Sequence, residues 1–171
     1  MSIHLLIDGY NLIRNYLPLS KVETLNFSKG REALLEWLAG YRKVNPVPIT
    51  VIFDGQDKGD LLNQRDIYKG IKILYSRSAQ TADDLIKRLV TQKEGNFLVV
   101  TSDSALSSYC RSHQAGSIKS EEFAKKVREK LFQKESMYNE EEPGISGTKK
   151  KGRAFRLSKK RKNDTRYWNY L

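Results

Sequence analysis

The chain of 171 residues has one cysteine, Cys110, two histidines and four prolines. No apolar run approaches the ~20 residues that cross a bilayer. A single cysteine excludes an internal disulfide and fits a reducing compartment. His4 and His113 show no ligand spacing and read as structural or solvated side chains. The first residues lack a basic stretch followed by a cleavable apolar one. The expectation is a soluble cytoplasmic protein with no membrane partner, built as one ordinary domain with an appendage. Also missing are the phosphate-loop pattern G-x-x-x-x-G-K-[ST], the dinucleotide pattern G-x-G-x-x-G and the nucleophile elbow G-x-S-x-G. A haloacid-dehalogenase type of phosphatase would want a second acid two residues after its nucleophilic aspartate, and Tyr10 holds that place after Asp8.

Acids are scarce at one end. The net charge is +11, and from Lys149 to Leu171 ten Lys or Arg residues face one acid, Asp164. The preceding 148 residues hold 21 basic and 19 acidic side chains, so the body is nearly neutral and the polyanion-binding signal lies in the tail.

What is present in strength is a set of apolar runs that each stop at an acid. Ile3 to Ile7 ends in Asp8-Gly9, Ile49 to Phe53 ends in Asp54-Gly55, and Phe97 to Thr101 ends in Ser102-Asp103. Short, β-branched, continuously apolar runs are strands buried on both faces, as in a parallel sheet. Ligands of open α/β sheets bind outside the carboxyl ends of the strands, which is where these acids fall. Ile71 to Tyr75 alternates in part and predicts a strand nearer an edge, and Gly116-Ser117-Ile118 a brief further one.

Between the strands, Tyr10 to Leu25 reads as a loop and a short helix interrupted by Pro18. Ser28 is the expected N-cap of a helix reaching about Arg42, stopped by Asn45-Pro46-Val47-Pro48. Gly55 to Gly70 reads as a polar loop. Thr81-Ala82-Asp83-Asp84 has the pattern of a capping box opening a helix to about Lys93. Ala105 to His113 predicts a short helix, and Ser120 caps a last one to about Glu135. Alternating strands and helices imply a parallel, doubly wound sheet.

Asp8, Asp54, Asp103 and the pair Asp83 and Asp84 would then converge on one cleft. An Asp-Gly after a strand is often only a turn or a helix cap, so the argument rests on their number. Two carboxylates ~4 Å apart repel by about 4 kcal/mol at an effective dielectric of 20, which calls for protonation or a divalent cation. Oxygen ligands without a His or Cys cluster suit Mg²⁺ or Mn²⁺. A metal held by carboxylates beside a basic surface suggests phosphodiester hydrolysis.

Asp8-Gly9-Tyr10-Asn11-Leu12-Ile13, Val51-Ile52-Phe53-Asp54-Gly55, Thr81-Ala82-Asp83-Asp84-Leu85-Ile86 and Val99-Val100-Thr101-Ser102-Asp103 together resemble the motif set of NYN-domain proteins. The likeness is to the YacP-like bacterial branch of the PIN-like nuclease superfamily and spans residues 3 to about 131. It implies a Rossmann-like, PIN-type three-layer α/β fold with a mostly parallel sheet of four to five strands. It also implies a metal-dependent endoribonuclease whose products carry a 5′-phosphate and a 3′-hydroxyl. Carried over by motif, Asp8, Asp83 and Asp103 are the principal metal carboxylates, and Asp54 and Asp84 supporting acids. Asp84 is the other candidate ligand of its pair, since adjacent helical residues differ by ~100° in direction. Asn11 would orient Asp8 or a phosphate, and Thr101 or Ser102 would hydrogen-bond within the site.

The expected organisation is a nuclease domain over 1–136, a linker over 137–148 and a basic RNA-binding tail over 149–171. Lys149, Lys150, Lys151, Arg153, Arg156, Lys159, Lys160, Arg161 and Lys162 would neutralise phosphates of single-stranded RNA or mRNA, with the ribosome as the structured alternative. Phe155 and Arg166-Tyr167-Trp168-Asn169-Tyr170 add groups able to stack on bases. The rival reading is a non-catalytic RNA- or ribosome-binding module that keeps the fold.

Overall fold

The computed structural model describes residues 3–55, 66–77, 79–92 and 95–139. The elements run β1 His4–Asp8, α1 Gly9–Arg14, α2 Leu17–Leu25, α3 Phe27–Val44, β2 Ile49–Phe53 and β3 Asp66–Tyr68. They continue with β4 Ile71–Tyr75, α4 Ala82–Gln92, β5 Phe97–Val100, α5 Ser104–Ser112, β6 Gly116–Ile118 and α6 Ser120–Asn139. The sheet order is β3-β4-β2-β1-β5-β6. Among the described residues only the β3–β4 pair is antiparallel; β1, β2, β4, β5 and β6 pair in parallel.

The central strands are apolar on both faces because both faces are covered. Leu5, Ile7, Ile49, Val51, Phe53, Leu98 and Val100 pack into one core with α1, α2, α3 and α6. Leu6, Ile52, Phe97 and Val99 point the other way, into a core shared with α4 and α5. The result is three layers, helices over sheet over helices. His4 is structural: its Nε2 lies 2.8 Å from Thr50 Oγ1 across the β1–β2 pair. Cys110 is fully buried, and burial pushes its thiol up to about 11.

Four local expectations change. Pro18 does not interrupt a helix but stands in the first turn of α2, where its missing N–H has no partner to lose. The cap of α3 is Asn26, whose side chain accepts from Lys29 N at 3.1 Å, rather than Ser28. The helix α6 opens at Ser120, but the Ser120 hydroxyl turns away to Asn11. The sheet has six strands rather than four or five, since residues 66–68 form β3 at its edge. Lys69 and Gly70 at φ +47° and +80° make the left-handed pair that a two-residue hairpin needs. The Lys69 ammonium lies 2.6 Å from Glu36 Oε2, and its carbonyl accepts from Arg42 at 3.3 Å. Tertiary partners thus hold a lysine in a conformation its own chemistry disfavours.

Residues 56–65, within the expected polar loop, lie outside the described residues, as do 140–171. The second set includes most of the expected linker and the whole basic tail.

Candidate active site

The parallel register sets Ile7 beside both Val51 and Val100, so β1, β2 and β5 finish level and their following residues share one edge. The strand order reverses at β1: the chain steps from β1 to β2 and β4 on one side, then returns to β5 on the other. That reversal opens the crevice typical of doubly wound sheets. Glycine at the strand ends permits the close packing there. A Cβ on Gly9 would run into the Phe53 ring, and one on Gly55 into the Ser76 carbonyl oxygen.

Three of the strand-end acids begin helices. Asp8 Oδ1 accepts from Asn11 N at 3.1 Å and caps α1. Asp103 Oδ1 accepts from Leu106 N at 2.6 Å and caps α5. Asp54 Oδ1 reaches across to accept from Ala82 N at 2.6 Å, at the start of α4. Each uses one oxygen as a cap.

The α4 start carries the reciprocal bonds of a capping box. Asp84 N donates to Thr81 Oγ1 at 3.2 Å, and Thr81 N donates to Asp84 Oδ2 at 3.2 Å. The Thr81 hydroxyl adds a bond to the same oxygen at 2.9 Å. These bonds hold the Asp84 carboxyl below its usual range. Asp83, one residue earlier, caps no helix among the described residues.

Four acids lie close enough to feel one another's charge. Burial, above all, pushes the Asp8 carboxyl up to about 7; Asp83 and Asp54 raise it further, against the Asn11 N–H bond and Arg14. Asp83 is also raised, by burial first and then by Asp103, with Asp54 and Asp84 adding to it and Lys87 opposing. Asp8, Asp54, Asp83 and Asp103 therefore share a field, while the Asp84 carboxylate is engaged by Thr81. Among the described residues, no three Asp, Glu, His or Cys side chains are gathered closely enough to hold an ion as they stand.

A second network ties the edge of the crevice together. Asn11 Oδ1 accepts from Ser102 N at 2.8 Å and from the Ser120 hydroxyl at 2.8 Å. The Ser102 hydroxyl donates to Glu121 Oε2 at 3.0 Å and accepts from Ser120 N at 3.1 Å. Thr101 Oγ1 accepts from Asp103 N at 3.1 Å. Asn11 meets Asp8 only through its own backbone N–H. Its side-chain carbonyl instead fixes the loop that carries Asp103.

Ser120 and Glu121 were not among the expected site residues. Their one sequence signal is that a short strand ending at Ile118 delivers them to the same edge. Tyr10 is buried against Phe53, with ring centroids 5.1 Å apart, and belongs to the core. Tyr16 packs on Trp37 at 5.0 Å. The tail cations Lys149, Lys150, Lys151, Arg153, Arg156, Lys159, Lys160, Arg161 and Lys162 lie outside the described residues.

A family model described as the YacP-like NYN domain matches residues 5–169. The uncharacterized protein YacP of Bacillus subtilis (strain 168) is 28% identical over 86 residues, which covers 50% of this chain and 49% of that protein. The chain thus matches about half the length of that curated relative. Two crystal structures of Rae1 (YacP) from Bacillus subtilis share the fold. One, of a point mutant, has a TM-score of 0.68 at 22% identity and covers 82% of this chain and 83% of that one. The other has a TM-score of 0.64 at 23% identity, with 80% of each chain covered.

Proposed function

We propose, from the premise that the chain belongs to the YacP-like NYN domain family, that it is a metal-dependent endoribonuclease. The family is consistent with a nuclease in general; hydrolysis of RNA with Mg²⁺ or Mn²⁺ is the finer reading. The observation that carries it is the raised Asp8 carboxyl, at about 7, in a crevice with Asp54, Asp83 and Asp103. A carboxylate buried beside other acids costs stability, more than the capping of α1 by Asp8 explains, and suits a site that takes up a cation.

The donor set fits such a cation, because every candidate ligand is a hard carboxylate oxygen. Asp8, Asp83 and Asp103 would hold it, with Asp54 in support. When bound, a divalent ion neutralises charge on the phosphate and lowers the pKa of water. Asp8 and Asp103 each turn one oxygen to a helix N-terminus, which restrains the carboxylate, and the second oxygen would serve the ion. Asp54 holds the start of α4 and so sets the position of Asp83. Asn11 locks the β5–α5 turn that presents Asp103. The basic tail would supply affinity for RNA, either as single strands or as part of the ribosome.

A second reading has its own support. Helix capping alone accounts for Asp8, Asp54 and Asp103 in a non-catalytic RNA- or ribosome-binding module. Asp83 separates the two, since it caps no helix among the described residues. The test is to incubate the full chain and its Asp83→Asn variant with assorted RNAs, with and without Mn²⁺, and to map the ends. Mn²⁺-dependent 5′-phosphate ends from the wild type alone support the nuclease. Intact RNA with both proteins, or equal cleavage by both, removes the assignment.

A further inference from the structure

From Asp83 the surface of α4 and α5 continues as a lane of one cation and two rings. Lys87 stands one turn beyond Asp83 on α4, and its charge reaches that carboxylate. Its Nζ lies 5.6 Å from the centroid of the Tyr109 ring on α5. Tyr109 stacks on His113, with centroids 4.2 Å apart and planes 24° from parallel. His113 Nδ1 lies 2.9 Å from the Tyr109 carbonyl oxygen, so Nδ1 carries the hydrogen and donates there. The Ser112 hydroxyl is 3.1 Å from the same nitrogen. The imidazole is therefore fixed in angle, covered on one face by Tyr109, and exposed to solvent.

We propose that His113, backed by Tyr109 and flanked by Lys87, is a stacking platform for an unpaired base of the RNA strand that enters the acid crevice. The inference rests on the nuclease reading for the direction of the strand. Every base has a π-face, so an exposed ring beside a backbone-neutralising cation accepts single-stranded RNA without regard to sequence. A ring already immobilised loses little freedom when a base settles on it. Lys87 would meet the phosphate between the stacked nucleotide and the crevice. The plainer account is that Tyr109 and His113, four residues apart, only stabilise α5 as a side-chain pair. Such a pair predicts no effect on RNA.

The test uses the full chain and a short unpaired RNA with a single 2-aminopurine, in EDTA and at about 0.3 M salt, where exposed charge contacts are strongly screened. The base analogue should be quenched on binding by the wild type. His113→Ala should weaken binding roughly 5- to 100-fold and abolish the quenching, and His113→Trp should restore both. An abasic site in place of the analogue should bring the wild type down to the His113→Ala level. With Mn²⁺ and a cleavable RNA, His113→Ala should raise KM by a similar factor while kcat stays within about twofold.

Equal affinity and equal quenching by the wild type and His113→Ala would overturn the platform, whether or not the wild type cleaves. A defect in a folded Tyr109→Leu variant without one in His113→Ala would also overturn it, leaving only helix support. His113-dependent stacking by a wild type that never cleaves would overturn the nuclease reading and leave the platform standing. A wild type that binds no RNA would overturn both.

Discussion

Asn11 and Ser102 lie 91 residues apart, and the Ser102 backbone N–H donates to the Asn11 side-chain carbonyl at 2.8 Å. The bond crosses the crevice from the end of β1 to the end of β5, and the Ser120 hydroxyl binds the same oxygen. One amide thus ties together the segments that follow β1, β5 and β6, beyond the last pairs of the sheet.

Asn11→Ala should therefore strand two donors and cost about 1–3 kcal/mol of stability. Denaturant titration measures the loss. Under the nuclease proposal, activity should fall further than stability accounts for, because the turn carrying Asp103 is released. A variant that melts and cleaves like the wild type would remove Asn11 from the site.

The carboxylates should separate by their caps. Asp103→Ala loses the bond to Leu106 N and should cost about 0.5–2 kcal/mol, whereas Asp83→Asn loses no cap and should melt at or above the wild-type temperature. Both should abolish cleavage. Full activity in a folded Asp83→Asn protein would defeat the assignment of that residue.

Asp84→Ala should instead behave like Thr81→Ala. Each breaks the same reciprocal capping bonds; Thr81→Ala should cost about 0.5–2 kcal/mol, Asp84→Ala should destabilise in the same direction, and the double variant should cost less than their sum. Cleavage should survive Asp84→Ala better than Asp83→Ala. The reverse order would move the ligand role to Asp84.

Without added metal, stability should fall as pH rises from about 4 to 7. In that window the folded Asp8 carboxyl, at about 7, keeps a proton that the unfolded one, at 3.8, has released. Each pH unit there removes up to about 1.4 kcal/mol. Below the window both forms are protonated, and above it both are ionised, so the dependence flattens at each end. Asp8→Asn should flatten this slope, leaving the smaller part that the raised Asp83 carboxyl contributes, and stabilise the protein at pH 8 by about 1–4 kcal/mol. Parallel melting curves for the two proteins across that range would refute the shift.

Under the proposal that the basic tail binds RNA, it should set a salt dependence. If about six of its ten cations meet phosphates, log affinity should fall with log salt at a slope of roughly −4. Deleting Lys149 to Leu171 should flatten that slope and raise KM more than it lowers kcat. An unchanged slope would exclude the tail as the RNA-binding arm.

The runs ending at Asp8, Asp54 and Asp103 were readable because a strand buried on both faces leaves a continuous apolar signature and its end is marked by the acid. The Thr81–Asp84 box was readable because its partners are three residues apart. The edge strand at 66–68 was not, since its turn depends on Glu36 and Arg42 holding Lys69 from outside the hairpin. Nor was the true partner of Asn11. Its bonds to Ser102 and Ser120 join distant segments, and no local pattern encodes them. Asn26 shows a narrower ambiguity, since the residue that ends α2 also caps α3, and Pro18 another, since a proline that breaks a helix interior is at home in a first turn.

The shared duty of the strand-end acids changes what survival of those acids in a related chain would mean. On the proposed nuclease reading, a descendant that gave up RNA cleavage would still need Asp8 and Asp103 to start α1 and α5, and would shed them only at the expense of its own folding. Asp83 is under no such obligation. Drift in an idle copy would erase it first, leaving a protein with the parent's outline and helix ends and a silent crevice.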